Sequence, residues 1–459
     1  MYTYLLLVFV LVLLLFVLNT VKGDYFFPAA IILEVYILSL SFSIIEIPKW
    51  DTYISPKSFN IFITGIFTYV IVALVTRKLA PLRIKKRRTK TRELNKYIEG
   101  NGINSKQNPI TLDPLICLLI SLLSVAVFVV YFRDIRRSSL SIAIFGSFSE
   151  MIGNFHDSAV MGTLEVGVSS FSNYGNMIVA AFAYIFVYLN IQDAILHNKI
   201  KKYHRILYWI PIVIYILCSI ISGSRNPILQ IICAAVTLYF IMVGKYRKTG
   251  KRFRWKLAAR FMIAGFIVLF GFSSFRGLVG RTSDYSFLDY ISKYIGGSIK
   301  LFDMFVESGK HNTSGIWGQE TFVNVWRYIG SKTGDTTLTG LIMNKEWRAY
   351  KGFAMGNVYT AFREYYFDFG LLGVVILSAI HSFIFTFAYE RLKGRKTILS
   401  PEKINFGLLL YAYLSQSLFY FSIDDRFYQA YLARNVVITV IVMFVLCRLL
   451  KRIKLRKAK

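Results

Sequence analysis

Arginines that flank apolar segments are the side chains of this sequence best suited to bind an anionic group. Arginine is always charged, and its guanidinium grips phosphate oxygens through two parallel hydrogen bonds. A cluster of arginines at one face of a membrane therefore suits a lipid-linked diphosphate. Arginine side chains also extend to the membrane interface without any function, and this alternative stays open for each of them. The arginines that we assign to diphosphate binding are Arg225, Arg276, Arg281 and Arg363.

Three side chains of the same region could remove a proton from a hydroxyl group. A general base has to lie within hydrogen-bond reach of that hydroxyl. Glu320 is our first choice, because Trp317 precedes it and could offer a stacking surface to a sugar ring. Asp368 and His311 are the other two candidates. A salt bridge to one of the arginines is the alternative interpretation of each carboxylate.

A later polar loop adds Asp424 and Arg426 to Trp317 in the predicted substrate-binding surface. The motifs of soluble enzymes are absent from the sequence, which has no P-loop, no GxSxG, no HExxH and no metal-binding DxD. The four cysteines lie inside apolar runs and lack metal-ligand spacing. We therefore expect a site that uses neither a metal nor a cofactor.

The elements that must position these residues are long apolar segments. Hydrophobic residues make up 55% of the 459 residues, above the roughly 45–50% of a soluble domain. A helix needs roughly 17–25 apolar residues to cross the hydrocarbon core. The sequence predicts an all-α polytopic membrane protein with about eleven spans: Tyr2–Leu18, Tyr25–Ile45, Phe59–Val75, Leu112–Phe132, Ser170–Asn190, Ile206–Ser222, Ile228–Val243, Leu257–Phe275, Tyr366–Tyr389, Phe406–Phe421 and Tyr431–Cys447.

Lysine and arginine set the predicted orientation, because cytoplasmic loops carry an excess of both. If the amino terminus is outside and the carboxyl terminus is cytoplasmic, most of the 55 lysines and arginines fall inside. This distribution accounts for the net charge of +30 without a nucleic-acid partner. We expect one integral domain over residues 1–459, with a basic cytoplasmic loop at 76–111 and a large extracytoplasmic loop at 276–365.

Within the large loop, apolar residues recur at steps of three and four from Leu288 to Val306. This spacing predicts one helix with an apolar face, lying in the membrane interface. Lys300 and Asp303 fall away from the apolar face, and the pair Gly296-Gly297 weakens the helix in its middle.

These features resemble the bacterial O-antigen and capsular polysaccharide polymerases. The likeness in layout covers nearly the whole chain, with many spans and one large extracytoplasmic loop late in the sequence. The turn Ser222-Gly223-Ser224-Arg225 is similar to the small-Ser-Arg turn of that family, although Asn226 and Pro227 stand where Gly usually follows. The segment Asn357–Gly373 resembles the stretch that re-enters the membrane after the loop.

The resemblance implies a metal-independent membrane glycosyltransferase, similar in fold to the C-type enzymes, in the bacterial inner membrane. Its donor would be a glycan on undecaprenyl diphosphate, and its acceptor one repeat unit on the same carrier. Arg225, Arg276 and Arg281 would stabilise the charge that builds on the leaving diphosphate. The implied partners are the lipid bilayer, the lipid-linked oligosaccharide and a polysaccharide chain-length regulator.

Two other functions stay open as alternatives. The related O-antigen ligases share the architecture, and His311-Asn312 begins like the His-led motif of their loop, but Phe322 stands where Gly is expected. A lipid-linked oligosaccharide flippase would have a central cationic cavity and two pseudo-symmetric halves. The single late loop argues against a flippase.

Overall fold

The structure is a computed structural model that describes residues 1–84, 110–161, 164, 166–196, 201–246, 286–394 and 399–457. Two short strands, β1 (Arg348–Tyr350) and β2 (Phe353–Gly356), accompany the helices. The helices in chain order are α1 (Tyr2–Thr20), α2 (Pro28–Ile45), α3 (Ile47–Trp50), α4 (Pro56–Ile84), α5 (Pro114–Ile142), α6 (Phe148–Met161), α7 (Ser170–Leu196), α8 (Lys202–Ile221), α9 (Asn226–Tyr246), α10 (Phe287–Ile295), α11 (Gly297–Glu307), α12 (Val323–Thr333), α13 (Thr336–Thr339), α14 (Phe362–Lys393), α15 (Phe406–Leu414), α16 (Gln416–Phe419) and α17 (Arg434–Lys457).

Within the described ranges, eight helices are long and apolar enough to cross a membrane, namely α1, α2, α4, α5, α7, α8, α9 and α14. They fit a multi-pass membrane protein, as the sequence predicts. The predicted span Phe406–Phe421 is a shorter apolar stretch divided between α15 and α16, and Tyr431–Cys447 largely falls in α17. The predicted span Leu257–Phe275 lies outside the described residues, as do most of 76–111 and the first part of 276–365. The number of eleven spans stays a prediction.

Helix α7 lies at the centre of the bundle, where it contacts α5, α8, α9 and α17. Of its most apolar stretch 78% is buried, against 28% for α1 at the periphery. Glycine allows close crossings elsewhere in the bundle. A Cβ at Gly65 of α4 would lie 2.5 Å from the Phe362 ring of α14, and a Cβ at Gly175 of α7 would lie 2.9 Å from Val127 of α5. Small residues let membrane helices approach closely enough to pack in this way.

Connections that the sequence assigns to the same side of the membrane meet at one end of the bundle. Asp24 forms a salt bridge with Lys393 and accepts a hydrogen bond of 2.9 Å from the Tyr389 hydroxyl. Arg77 lies 3.7 Å from Glu390. Residues 286–361, which we call the site segment, pack at the opposite end.

The site segment is anchored on α2 through Gly296. A Cβ at this position would lie 2.5 Å from the backbone nitrogen of Ser43 and 2.8 Å from the carbonyl carbon of Phe42. At the glycine pair where the sequence predicts a weak point, the segment divides into two helices, α10 and α11, with their boundary at Gly296. The break allows both helices to follow the surface of α2.

The polar face of α11 is covered by another part of the chain, which the sequence does not predict. Lys300 and Asp303 are 8% and 3% exposed. The Lys300 ammonium lies 3.0 Å from Asp303 and donates to the Tyr53 carbonyl at 2.8 Å, while Asp303 accepts from the Ser55 backbone at 2.7 Å. The connection between α3 and α4 satisfies these groups. α11 is thus packed between this connection and the bundle instead of lying freely in the interface.

A small antiparallel hairpin joins β1 to β2, an addition to the all-helical prediction. Tyr350 pairs with Phe353 across a two-residue turn, Lys351-Gly352, whose φ angles are 49° and 77°. Positive φ at both central positions is the type I′ geometry that fits the twist of a tight hairpin. Trp50 of α3 packs on Phe353 with ring centroids 4.6 Å apart. This contact holds the hairpin against the bundle.

Helix α14 changes direction within its first three turns, at Gly370. The φ of 63° and ψ of −153° at this residue lie in a region that is open essentially to glycine alone. Gly373 completes the bend, because a Cβ there would lie 2.4 Å from the Tyr365 carbonyl oxygen. The turns before Gly370 carry Arg363, Glu364 and Asp368 towards the site segment.

Candidate functional site

Asp368 organises the loop that carries the predicted base. Its carboxylate accepts hydrogen bonds from the backbone nitrogens of Glu320 at 3.1 Å and Thr321 at 2.7 Å, and from the Asn312 amide at 3.0 Å. The turn before Glu320 depends on Gly318, whose φ is 63° and whose Cβ would lie 2.4 Å from Phe322. With three donors bound, the carboxylate of Asp368 serves as the anchor of this turn.

Glu320 and Arg363 form a salt bridge. The Arg363 side chain is 5% exposed and that of Glu320 is 19% exposed, so part of the Glu320 side chain is open to solvent. The guanidinium carbon lies 4.5 Å from the centroid of Phe305, 5.0 Å from that of Tyr359 and 5.7 Å from that of Phe367. An arginine over aromatic faces gains attraction from the ring electrons. The pair is therefore held in a fixed position with one open side.

A second group of charges continues from this pair. The ammonium of Lys345 forms a salt bridge with Glu364 and lies 3.1 Å from Asp424, which lies 2.8 Å from Arg426. Burial alone would raise the pKa of Asp424, but Lys345 and Arg426 together hold it below 3.8. Asp424 is thus an ionised link between two cations.

Asp425, next in the chain, has a different environment. Its carboxylate accepts from the backbone nitrogens of Phe427 at 3.0 Å and Gln429 at 3.1 Å, and from the Tyr365 hydroxyl at 3.2 Å. Burial raises its pKa to about 6, in spite of these hydrogen bonds. Adjacent aspartates therefore have pKa values shifted in opposite directions, because Asp424 is ion-paired with Lys345 and Arg426 while burial dominates at Asp425.

Arg225 reaches the site segment from the turn between α8 and α9. It donates a hydrogen bond to the hydroxyl of Tyr290 on α10. Gly223 in the same turn has a φ of 67°, and a Cβ there would lie 2.7 Å from His156 of α6. The neighbouring Asn226 accepts from the Gln416 amide at 3.0 Å. The structure thus places Arg225 at the same end of the bundle as Arg363.

The other predicted residues lie in different situations. Trp317 is 66% exposed, with Phe322 and Phe369 each 5.1 Å away between ring centroids. His311 is exposed, and its Nδ1 lies 3.2 Å from the carbonyl oxygen of Gly309. The predicted phosphate ligands Arg276 and Arg281 lie outside the described residues.

Lys345 and Glu364 are the site residues that sequence reasoning did not single out. Their side chains are 7% and 0% exposed. Glu364 directly follows Arg363, and two adjacent charged residues are typical of an exposed surface. Lys345 lies in an irregular stretch before β1, where no periodicity marks burial. A charged side chain is almost never fully buried without a partner, and only the fold reveals the partner.

Within the described part of the chain, this cluster contains more carboxylates than cations. Arg363, Arg426 and Lys345 face a larger set of acidic side chains: Glu320, Glu364, Asp368, Asp424 and Asp425. Among the described residues, no three His, Cys, Asp or Glu side chains form a group that could hold a metal. The arrangement can orient a carboxylate beside a guanidinium and bind a polar molecule through both.

Comparisons of the chain with protein-family models, with curated proteins and with solved structures found no match.

Proposed function

We propose that this chain is a membrane glycosyltransferase that joins lipid-diphosphate-linked oligosaccharide repeat units into a surface polysaccharide. The observation that carries the proposal is the Glu320–Arg363 pair, a partly open carboxylate fixed beside a buried guanidinium where a polar segment meets apolar helices of membrane length. A lipid-linked sugar presents the same combination, a polar head on an apolar chain. The resemblance in layout to the polysaccharide polymerases points to the same reaction.

In the proposed reaction, a hydroxyl of the acceptor sugar attacks the anomeric carbon of the donor. A new carbon–oxygen bond forms while the bond from that carbon to the diphosphate oxygen breaks. Glu320 accepts the hydroxyl proton, and the electron pair of the broken bond leaves with the undecaprenyl diphosphate. Arg225 stabilises the departing charge through its guanidinium, and the proposal assigns the same role to Arg276 and Arg281.

Exposed aromatic side chains support a sugar substrate. Trp317 stands three residues before Glu320, and its ring is 66% exposed. Trp347, two residues after Lys345, is 67% exposed. Aromatic rings with one buried edge and one open face offer a rigid apolar surface, which suits the flat faces of sugar rings.

The proposal includes the cellular setting that the resemblance implies. The chain would lie in the bacterial inner membrane with its amino terminus outside and its carboxyl terminus in the cytoplasm, so that the site segment is extracytoplasmic. A chain-length regulator is the proposed protein partner. The product would be an O-antigen or a capsule.

Reconstitution tests the proposal directly. Purified protein in liposomes, supplied with lipid-linked repeat units and no nucleotide sugar, should produce a ladder of glycan lengths on an electrophoretic gel. Deletion of the gene should leave single repeat units on the cell surface. Repeat units trapped inside the cell would contradict polymerisation and support the flippase alternative. Transfer of glycan only to a different lipid acceptor would support the ligase alternative.

A further inference from the structure

Two adjoining cavities lie at the site end of the bundle, beside α7. The larger is a groove of about 570 Å³ bordered by α7, α12 and α17. The smaller is a crevice of about 240 Å³ between α5 and α7. Ser170 and Tyr174 line both cavities. The groove alone is within the roughly 300–1,000 Å³ that small-molecule pockets occupy.

The groove is polar and carries positive charge. Arg434 donates to the hydroxyl of Tyr174, and its guanidinium carbon lies 5.8 Å from the centroid of that ring. Arg327 of α12 provides a second cation. Among the described residues, none that lines the groove is an aspartate or a glutamate. Asp134, which accepts from Ser169 and Ser172, is 8% exposed and does not line the groove.

The crevice is apolar and opens on the outer surface of the bundle. Leu123 and Phe171 line it and are 42% and 54% exposed. Val127, Gly175 and Ile178 form the rest of its apolar wall. Apolar side chains exposed on helices of membrane length face the lipid chains. A molecule in the bilayer can therefore enter the crevice from the side.

We infer that the two cavities together bind a phosphate-bearing lipid, with the phosphate and the first sugar in the groove and the apolar chain in the crevice. The inference rests on the proposed function, since polymerisation must hold two lipid-linked glycans at once. The cluster around Glu320 accepts one of them, and the groove with Arg327 and Arg434 holds the phosphate of the other. Arginine grips phosphate through paired hydrogen bonds.

The groove is connected to the cluster by two short stretches of chain. Asn324 of the groove stands four residues after Glu320, and its amide donates to the Gln429 carbonyl at 2.8 Å. The backbone nitrogen of Gln429 in turn donates to Asp425 at 3.1 Å. The groove and the cluster are thus neighbours, and in the proposal a glycan whose phosphate lies at Arg434 extends towards Glu320.

Binding to the full-length protein in phosphatidylcholine nanodiscs tests the inference. The probes are undecaprenyl diphosphate, phosphatidylglycerol and inorganic diphosphate. Changing Arg327→Gln or Arg434→Gln should weaken undecaprenyl diphosphate binding roughly ten- to a hundredfold, the loss in affinity that corresponds to one hydrogen bond to a charged group. Arg137→Gln is the matched control. Arg137 is an exposed cation near the carboxyl end of α5, and it is not among the residues that line the groove. Equal binding by the groove variants and the parent would overturn the inference.

A second pair of variants tests the crevice. Leu123→Trp fills it and should weaken binding of undecaprenyl diphosphate but not of inorganic diphosphate. Leu122→Trp is the control, because Leu122 is 57% exposed and lies outside the crevice. If phosphatidylglycerol binds equally well and responds to the same variants, the site holds bulk phospholipid and the assignment to a lipid-linked glycan is wrong. Binding by a parent protein that makes no polymer would support the site and contradict the proposed function.

Discussion

The carboxylate of Asp368 holds the backbone of Glu320, with 3.1 Å between the Asp368 oxygen and the Glu320 nitrogen. One candidate base thus positions another. Asp368 also accepts from Thr321 and Asn312, so its oxygens are committed to the loop. Glu320 has only Arg363 as its ionic partner among the described contacts and keeps an open side. This division of roles makes Glu320 the stronger candidate for proton transfer.

Glu320→Gln should lower the rate of polymerisation roughly 10²–10⁴-fold, the usual contribution of a general base. The amide keeps the shape of the side chain but cannot accept the proton. The measurement is the initial rate of in vitro polymerisation at several pH values. Glu346→Gln is the matched control, because the Glu346 carboxylate pairs with Lys310 and Arg348 and its described ion pairs include no member of the cluster. A Glu320→Gln protein as active as the control would move the search for the base to Asp368, Asp424 and His311.

Asp368→Ala should loosen the turn from Trp317 to Thr321. Hydrogen bonds to a charged group contribute roughly 1.5–3 kcal/mol to stability, and the change removes three of them. Limited digestion with chymotrypsin should then cleave after Trp317 faster than in the parent. Asp368→Asn keeps one acceptor oxygen, so its cleavage rate should lie between those of the parent and of Asp368→Ala. Unchanged cleavage in both variants would show that the turn is ordered without Asp368.

In a double-mutant cycle of Glu320 and Arg363, the double variant should recover stability but not activity. Arg363→Gln leaves the partly buried Glu320 without its cation, and breaking a buried ion pair in this way costs roughly 3–5 kcal/mol. Combining it with Glu320→Gln should restore much of the thermal stability, while polymerisation stays low. The melting temperature in detergent is the measurement. Recovery of activity in the double variant would mean that the pair is purely structural.

Asp425 should give the protein a stability that decreases with rising pH. Its folded pKa of about 6 is above the 3.8 of a free aspartate, so the folded state binds the proton more tightly. The resulting stabilisation is complete below pH 3.8 and is lost as the pH rises through 6. The amide of Asp425→Asn does not ionise, so this variant does not lose stability as Asp425 does. The melting temperature of the variant minus that of the parent should therefore increase from pH 4 to pH 7.

A change at Asp335, an exposed aspartate of the same end of the bundle, provides the control for Asp425. Asp335→Asn should not reproduce the rise in relative melting temperature between pH 4 and pH 7. The same rise in both variants would assign the effect to the loss of net negative charge and not to burial of Asp425.

Gly296→Ala should destabilise the docking of the site segment on α2. The new methyl group would lie 2.5 Å from the Ser43 backbone, and overpacking of this kind costs roughly 1–3 kcal/mol. Gly297→Ala is the matched control, because its nearest neighbour would be 3.9 Å away and alanine favours the helix. Thermal unfolding compares the two. Equal melting temperatures would show that α2 shifts to accommodate the added methyl group.

The membrane helices were predictable because their signal is local and long. Eight predicted spans match helices of the structure within a few residues at most ends. The weak point at Gly296-Gly297 was predictable from the glycine pair, but its contact with the backbone of Ser43 was not, since Ser43 lies more than two hundred residues earlier in the chain. The burial of Lys300 and Asp303 has the same origin, because their partners Tyr53 and Ser55 lie far away in sequence.

The candidate site was predictable in its residue types but not in its pairing. Glu320, Arg363, Asp424 and Arg426 were each singled out from the sequence, and the structure joins them into two ion-paired groups. The choice between Glu320 and Asp368 required hydrogen-bond partners that no spacing reveals. The groove at Arg327 and Arg434 was missed because its walls come from three separated helices.

The bend at Gly370 divides α14 into two parts with different roles. The residues after it pack along α4, and those before it carry Arg363, Glu364 and Asp368. Because no side chain readily adopts the backbone angles of Gly370, one residue sets the direction in which all three charged groups enter the site. Substitution of Gly370 should therefore abolish polymer while leaving the protein abundant in the membrane, a genetic signature at a residue with no side chain to contact a substrate.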